Sequence, residues 1–272
     1  MMREGRRIFF GLGGLGLLVL LFIAGTGALV ATPGSADELA RFTCERPKPW
    51  EAGVLRNVSI AARQVDSVVL ASGAEFSFNR AMLACGSRLV AGTSFLDGRE
   101  VKSRGGGICQ VSSGLYNAAQ LAGIEVLERN SHSLYDPTEA YVLPGRDAMV
   151  SNEGHSDFRF RNSTAADLTI RTFVLGGRLT VVLLGRQRGL RRRRWVETGA
   201  VARQAAQKIE KVSAGLAPGR RRLARTGFDG LTAKTRICSC APESVTHCAQ
   251  WQVDRYERVD ELWNVGPGTA QP

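Results

Sequence analysis

The stretch that decides the fold of this chain is SRGGGICQVSS, residues 103–113, in which three consecutive glycines lead directly into a helical pattern. Glycines permit backbone conformations that other residues avoid, and they leave room for a ligand beside the main chain. Cys109 follows at the first turn of the predicted helix, where free N–H groups and the helix dipole favour an anion. We therefore expect the Cys109 thiol to ionise readily, although a tight turn with a buried cysteine filler would use the same residues.

Hydrophobic periodicity on either side of this stretch predicts an α+β fold, with helices in the first half and mainly antiparallel strands in the second. Apolar residues at helical spacing predict helices over residues 53–70 and 108–122, the second of them ended by Gly123. Alternating or short apolar runs predict strands at residues 75–79, 124–127, 158–161, 168–174 and 179–183. The last two strands are predicted to form a hairpin around Gly176-Gly177.

A nucleophilic thiol needs a base and a group that orients the base, and the chain contains only three histidines. His132 follows the strand after the Cys109 helix, and Asp147 begins a further strand-like piece. This order predicts Cys109 as nucleophile, His132 as general base and Asp147 as orienting carboxylate. Cys, His and Asp on a helix and two strands resemble the core of transglutaminase-like and papain-like thiol enzymes. His155 and Asp157 form a rival pair.

Groups that could stabilise an oxyanion or bind a substrate surround the same cysteine. Gln110 or backbone N–H groups near Gly107 are the predicted oxyanion donors. The complete predicted binding set is Gly105, Gly106, Gly107, Gln110, Ser112, Ser113 and Tyr116. Thiol chemistry of this kind calls for no cofactor, and we predict none.

The first residues of the chain predict its compartment. Three arginines within residues 1–7 precede an uncharged, apolar run over residues 8–31. A helix over that run rises about 1.5 Å per residue and is long enough to cross a bilayer. Because positive flanks stay in the cytoplasm, we expect a single-pass membrane protein whose bulk is extracytoplasmic. A signal peptide cleaved near Ala36, which would release a secreted protein, is the alternative.

The net charge of +11 is concentrated in one segment. Residues 186–225 carry 13 basic and 2 acidic side chains, whereas residues 34–185 carry equal numbers of each. Since the predicted topology places this segment outside the cytoplasm, we exclude nucleic acid as its partner. The predicted partners are peptidoglycan or an anionic wall polymer, and the membrane. A solvated linker is the alternative for the basic segment.

Six cysteines in an oxidising compartment would ordinarily form disulfides. Three crowd near the C-terminus, which predicts one local disulfide with one sulfur left over. These three are Cys238, Cys240 and Cys248. We predict Cys44 with Cys85 as a second bridge. A zinc site that adds His247 to the C-terminal cysteines is the alternative, but the spacing does not suit paired ligands, and we predict no metal.

Several sequence blocks, in the same order as in the family, resemble the VanW family over about residues 55–185. The blocks are EFSFN at 75–79, GGGICQVSS at 105–113, LYNA at 115–118, ER at 128–129, HS at 132–133, PGRDA at 144–148 and DFRFRN at 157–162. The resemblance implies an envelope protein with an N-terminal membrane segment, related to an accessory protein of vancomycin-resistance clusters. It implies no particular activity. The chain departs from the family at Ser113-Gly114, where two hydroxyl residues are usual, and at Ser131, where proline is frequent.

The tail resembles, more sparsely, the G-five domain, a small β-rich module associated with binding wall sugars. The matching segments are LAPG at 216–219, TGFDGLT at 226–232 and ELWNVG at 261–266. Modules of this type are thin sheets with little core, which a disulfide in the cysteine-bearing insertion would reinforce.

These observations predict both a domain order and a function. The predicted order is a cytoplasmic flank at 1–7, a signal-anchor at 8–31, a linker at 32–52, a VanW-like domain at 53–185, a basic linker or start of the tail at 186–225 and a β-rich tail module at 226–268. The predicted function is thiol-dependent acyl transfer or amide hydrolysis on peptidoglycan stem peptides, by a hydrolase or transpeptidase. The alternative is a non-catalytic wall-binding protein whose glycine-rich loop and helix N-terminus receive a carboxylate.

Overall fold

The computed structural model describes residues 37–45, 48–96, 99–151, 156–186, 192–242 and 245–268. The predicted cytoplasmic flank and signal-anchor, residues 1–31, lie outside the described residues. Among the helices that are described, none combines the length and apolar character required to cross a bilayer. All the described residues belong to one compact unit.

Three α-helices occur among the described residues. They are α1 (Ala52–Val65), α2 (Phe78–Leu83) and α3 (Cys109–Ala122). Gly123 ends α3 in the left-handed conformation, with φ at 72°, as predicted. The apolar stripe of α1 faces the core, where Val58, Ala61 and Val65 have no exposed surface.

The strands account for most of the rest of the chain. Numbered in chain order, they are β1 (Asp37–Cys44), β2 (Val69–Leu70), β3 (Glu75–Ser77), β4 (Ala91–Leu96), β5 (Arg99–Arg104), β6 (Glu125–Glu128), β7 (Arg159–Arg161), β8 (Leu168–Leu175), β9 (Arg178–Gly185), β10 (Arg193–Thr198), β11 (Ala202–Gln204), β12 (Lys208–Val212), β13 (Arg221–Arg225), β14 (Gly230–Cys240), β15 (His247–Cys248), β16 (Gln252–Tyr256) and β17 (Glu261–Val265). The mixed α+β prediction is confirmed. A transglutaminase-like core is not shown by this topology.

One antiparallel sheet, in the order β1-β9-β8-β2, supports α1 and α3. The predicted hairpin is present as β8 and β9, joined by Gly176-Gly177. A second sheet, β3-β7-β6, lies beside it and contributes Phe76 and Phe160, whose rings stack 4.9 Å apart. The largest side chains with no exposed surface are Phe78, Phe158, Phe160, Leu115, Leu168 and Ile170.

The prediction of one helix over residues 53–70 is wrong beyond Val65. Asp66 is already extended, and Ser67 has a positive φ of 61°. The Asp66 carboxylate accepts the backbone N–H of Thr172 at 2.8 Å, which ties the turn to β8. The chain then continues as β2, which pairs with β8 rather than prolonging the helix.

The prediction of a strand over residues 75–79 is also only partly correct. The strand β3 ends at Ser77, and Phe78 begins α2. The Ser77 hydroxyl accepts the backbone N–H of Arg80 at 3.2 Å, which is the usual role of a serine that caps a helix N-terminus. The alternating pattern therefore included a capping residue.

Two segments predicted as linkers contain strands. Within 32–52, β1 pairs antiparallel with β9 along its length and forms an edge of the main sheet. Within 186–225, the strands β10, β11, β12 and β13 join the tail sheets, so this segment is the start of the tail rather than a linker. These sheets have the orders β10-β14-β11, with β15 and β16 also on β14, and β12-β17-β13, in which β12 and β17 are parallel.

The predicted C-terminal disulfide is confirmed. Cys238 and Cys248 are bonded to each other and join β14 to β15, while Cys240 is the sulfur left over. Because their sulfur atoms are bonded together, Cys238 and Cys248 are not free to act as the thiolate ligands of the alternative zinc site.

The predicted Cys44–Cys85 bridge is wrong. Both residues are free and buried. The Cys44 thiol lies at the end of β1 and donates to the carbonyl oxygen of Gln110 in α3 at 3.6 Å. The Cys85 thiol instead donates to the Met82 carbonyl at 3.4 Å, just after α2. An oxidising compartment favours pairing only for sulfur atoms that the fold brings together, and it does not bring these together.

Candidate active site

The glycine-rich loop carries Cys109 to the start of α3 by passing very close to β4. A Cβ atom on Gly106 would lie 2.3 Å from the carbonyl oxygen of Gly92, so only glycine fits there. The fully buried Asn57 holds this loop by donating to the carbonyl oxygens of Gly106 at 3.0 Å and Val90 at 2.9 Å. Cys109 is then the first residue of α3.

Cys109, His132 and Asp147 lie together in the structure. His132 follows β6, and an isolated bridge between Asn130 and Met149 brings its segment beside the segment that contains Asp147. The ring Nδ1 of His132 lies 2.6 Å from Asp147 Oδ2, and the Cys109 thiol, which donates to the Val150 carbonyl oxygen at 3.5 Å, lines the same cavity as the His132 ring.

The electrostatics favour a thiolate beside an imidazolium. Burial acts to raise the pKa of the Cys109 thiol, but the hydrogen bond and positive charge of His132 outweigh it and hold the pKa below that of an ordinary cysteine. Burial acts to lower the pKa of His132, but its hydrogen bonds to Asp147 and Cys109 raise that pKa to about 10. The two shifts support each other because each charge stabilises the other.

Asp147 is buried but remains ionised. Burial acts to raise the pKa of its carboxyl group, but the hydrogen bond and charge of His132, together with the charge of Arg129, hold the pKa far below its usual range. Its oxygens accept hydrogen bonds from the backbone N–H of His132 at 2.6 Å, from Arg129 Nη2 at 3.1 Å and from the Tyr256 hydroxyl at 2.5 Å.

The thiol and the imidazole both reach a cavity of about 330 Å³. The His132 side chain is 31% exposed and Cys109 is half-buried, so neither is sealed within the core. The cavity is also lined by Gly107, Gln110, Tyr141, Met149 and Phe228. A pocket of this size accommodates a small ligand or a short part of a peptide.

Gln110 is the predicted oxyanion donor that reaches the cavity. Its side chain is 3% exposed, and its Oε1 has no hydrogen-bond partner among the residues that the structure describes. A buried amide without a partner is costly, because it loses water without gaining a protein contact. Because Oε1 is an acceptor, a hydrogen-bond donor of a ligand would supply that contact, whereas an oxyanion would accept from the Nε2 N–H groups of the same amide.

Other members of the predicted binding set are engaged elsewhere. Ser112 donates to the carbonyl oxygen of Ala148 at 2.6 Å, and Ser113 accepts the backbone N–H of Ala148 at 2.8 Å. These hydroxyls therefore fix the segment that carries Asp147 rather than facing a substrate. Tyr116 is 2% exposed, accepts from Gln120 at 2.7 Å, and borders a separate hollow.

Of the glycines, Gly107 lines the cavity, whereas Gly105 and Gly106 are buried in the loop behind it. Within the rival pair, His155 lies outside the described residues. Asp157 is engaged at the start of α2, where it accepts the Ser77 hydroxyl at 2.6 Å and the Asn79 backbone N–H at 2.9 Å.

Several residues of the site were missed by sequence reasoning. Tyr141 lines the cavity, and burial together with the charge of Cys109 holds the pKa of its phenol well above the ordinary value, so it stays a neutral hydrogen-bond donor. Arg129 lies within a motif block, but the block gives no sign that its guanidinium binds Asp147. Asp254 and Tyr256, which come from the tail, carry no local sequence signal.

Two solved structures resemble part of this chain. One, titled "IgA1 Protease G5 domain structure", is 13% identical with a TM-score of 0.21, and the match covers 28% of this chain and 88% of that one. Another, titled "Crystal structure of HP0197-G5", is 13% identical with a TM-score of 0.17, covering 28% and 97%. At these TM-scores the likeness carries no argument about the tail, and the G-five-like module stays a prediction.

The part of the chain that holds the candidate active site is similar to known sequences. The uncharacterized protein YoaR of Bacillus subtilis (strain 168) is 38% identical over 129 residues, which cover 47% of this chain and 41% of that protein. This chain thus spans about two-fifths of that relative's length. Residues 54–184, which include Cys109, His132 and Asp147, match the family described as "VanW like protein". Residues 54–184 are therefore similar to the VanW family, which confirms the resemblance predicted from the sequence blocks.

Proposed function

We propose that this chain is a cell-envelope thiol enzyme that cleaves or exchanges an amide bond of peptidoglycan stem peptides. The observation that carries the proposal is that Cys109 and His132 line one open cavity and that the His132 ring is hydrogen-bonded to Asp147. A thiol, an imidazole and a carboxylate in this order are the parts that nucleophilic thiol catalysis needs.

In the first half of the reaction, the Cys109 thiolate attacks the carbonyl carbon of the amide, and the carbonyl π electrons move to the oxygen. The backbone N–H of Cys109, at the start of α3, and the amide of Gln110 are the groups suited to stabilise that oxyanion. The His132 imidazolium then gives its proton to the leaving nitrogen as the C–N bond breaks. The products are a thioester on Cys109 and a free amine.

In the second half, neutral His132 accepts a proton from water or from the amine of another peptide as that nucleophile attacks the thioester. Expulsion of the Cys109 thiolate then restores the starting ion pair. Water gives hydrolysis and an amine gives acyl transfer. Asp147 stays ionised throughout and holds the ring, because its pKa lies far below neutral pH.

Three features support peptidoglycan as the substrate. The apolar run at residues 8–31 predicts an extracytoplasmic location for the rest of the chain. The basic segment at 186–225 suits an anionic polymer surface. The VanW family resemblance implies an envelope protein. We propose on these grounds that the chain is anchored by its N-terminus and acts at the outer face of the membrane.

Mass spectrometry of isolated peptidoglycan tests this function. The full-length chain in mild detergent should change the muropeptide profile, either by adding one water to a cleaved amide or by creating a new peptide linkage. Cys109→Ser should abolish the change. His247→Ala, which alters an exposed histidine in the tail, is the matched control and should behave like the wild type.

Two results would contradict the proposal. A Cys109→Ser chain with full turnover would remove the thiol mechanism. Unchanged muropeptides, combined with retention of the wild-type chain on the same peptidoglycan in a pulldown, would instead identify a non-catalytic wall-binding protein.

A further inference from the structure

The tail strand β16 touches the carboxylate of the candidate active site. The Tyr256 hydroxyl donates to Asp147 Oδ1 at 2.5 Å and accepts the backbone N–H of Gly145 at 2.7 Å. Because that N–H occupies a lone pair of the phenol oxygen, the phenol proton is directed at Asp147. Tyr256 is only 3% exposed, so water does not compete for these hydrogen bonds.

A second residue of β16 reaches the same carboxylate through Arg129. One guanidinium nitrogen of Arg129 donates to Asp254, another donates to Asp147 Oδ1 at 3.1 Å, and Nε donates to the Asp147 carbonyl oxygen at 2.6 Å. All three side chains are buried. A planar guanidinium with donors on several sides suits this bridging role, and a lysine could not replace it.

The register of the tail sheet accounts for this arrangement. Asp254 pairs with Ala233 and Tyr256 with Leu231 on β14, so Asp254 and Tyr256 are two residues apart and point to the same face. The loop before Asp147 is seated on β14, because a Cβ on Gly145 would lie 2.8 Å from the methyl group of Thr235. Gly145 also has a φ of 81°, which favours glycine.

The tail contributes to the cavity as well. Phe228, which is bridged to Val259 near the end of the tail, lines the same space as Cys109 and His132. The tail therefore contributes in two ways: Phe228 forms part of the cavity wall, and β16 binds the carboxylate of Asp147.

We propose that β16 is part of the catalytic centre, with Tyr256 and Asp254 acting as positioning residues that fix Asp147 and, through it, the imidazole of His132. The catalytic consequence rests on the function proposed above. Asp147 Oδ2 carries both hydrogen bonds to His132, while Oδ1 is held by Tyr256 and Arg129. The anchors on Oδ1 prevent the carboxylate from turning away from the ring.

The test is the titration of His132, which does not require turnover. The full-length chain, labelled with ¹⁵N-histidine, has only three histidines to assign. In a Cys109→Ala background, which removes the thiol's own influence, the imidazole pKa is compared with and without Tyr256→Phe. We expect the pKa of His132 to fall by roughly 0.5–1 unit, the range that one net hydrogen bond supports.

Tyr135→Phe is the matched control. The Tyr135 ring packs against Tyr256 with centroids 5.6 Å apart, and its hydroxyl donates to the Val142 carbonyl at 3.3 Å rather than to Asp147. This variant removes the same hydroxyl from the same aromatic pair, and it should leave the titration unchanged. Asp254→Asn keeps the shape of its side chain, and it should also lower the pKa of His132.

Coincident titration curves for the chains with and without Tyr256→Phe would overturn the inference, and so would a rise in the pKa. A rise in the pKa of His132 would mean that the Tyr256 hydroxyl only weakens the negative charge of Asp147 and does not hold the carboxylate in position. These results are independent of the peptidoglycan assay. A shifted titration with unchanged muropeptides would contradict the proposed function alone, whereas an unshifted titration in an active enzyme would contradict this inference alone.

Discussion

The backbone N–H and the ring Nδ1 of His132 both lie 2.6 Å from the same atom, Oδ2 of Asp147. One carboxylate oxygen therefore fixes the main chain and the ring of the histidine together. Rotation of the imidazole would break one charged contact while the other held the backbone in place. Nε2 is left as the ring nitrogen that serves the Cys109 thiol.

His132→Ala is expected to slow alkylation of Cys109 by iodoacetamide at pH 7. Without the imidazolium, burial is no longer opposed and the pKa of the thiol rises to its ordinary value or above. An ordinary cysteine is only roughly 1–3% ionised at pH 7, so the rate should fall on the order of 30-fold or more. Peptide mapping by mass spectrometry assigns the modified cysteine.

The other free cysteines provide the internal reference for that experiment. Cys44 is buried, and burial raises its pKa to about 12, so it should react slowly in both chains. Equal alkylation rates of Cys109 with and without His132 would mean that the imidazole does not stabilise the thiolate.

Stability should fall at alkaline pH because of His132. Its pKa is raised in the folded chain, so the stability contributed by the charged ring is fully present below the ordinary value of 6.5 and is lost as the pH rises through the folded value. The lowered pKa of the Cys109 thiol makes stability increase with pH instead. Cys109→Ala removes this opposing contribution. In that background, we expect the free energy of unfolding to decrease above about pH 6.5.

Asp147→Asn in the same background should flatten this alkaline decrease, since the carboxylate is the main remaining cause of the raised pKa. Urea unfolding at a series of pH values measures both slopes. Parallel curves for the two chains would mean that Asp147 does not support the charged ring.

Gln110→Ala is expected to lower turnover of peptidoglycan about 10²–10³-fold, the effect of removing one oxyanion donor. The pKa and reactivity of the Cys109 thiol should not change, because Gln110 is not among the groups that shift the pKa values of Cys109 and His132. The measurement is therefore a comparison of kcat with the rate of Cys109 alkylation. A parallel loss of both would show general damage to the start of α3.

Gly106→Ala should destabilise the chain by about 3 kcal/mol, the upper end of the range for overpacking. The added methyl group would meet two backbone carbonyl oxygens, those of Gly92 at 2.3 Å and Thr93 at 2.7 Å. Gly86→Ala is the control, because its methyl group would enter open space. Thermal unfolding should separate the two variants clearly, and equal midpoints would mean that the loop can move away from β4.

Much of the candidate site could be predicted because its central residues belong to one short stretch of chain. Cys109 was marked by the glycines and the helix start, and the scarcity of histidines left few choices for its partner. Tyr256 could not be predicted, since it is 109 residues from Asp147 and reaches it only through the register of β14 and β16. Sheet register over that distance has no local sequence signal.

The errors in the fold have similar causes. The apolar spacing that predicts a helix over 53–70 continues past Asp66, but a turn tied to β8 ends the helix there. The pairing of Cys44 with Cys85 followed from compartment alone, which gives no information about distance. The sequence predicts a linker where β1 forms, because this short segment lies next to the apolar run.

The place of β1 affects how the protein can be dissected. Recombinant fragments trimmed to the family match would begin at residue 54 and lack β1 entirely. The backbone groups of β9 that β1 covers would then form an open edge, along which chains can pair with one another. Such a fragment would also lose Cys44, which packs beneath the first turns of α3. We expect it to precipitate, and since a fragment that ends at residue 184 also lacks β16, its inactivity would reflect missing strands at both ends rather than the chemistry of Cys109.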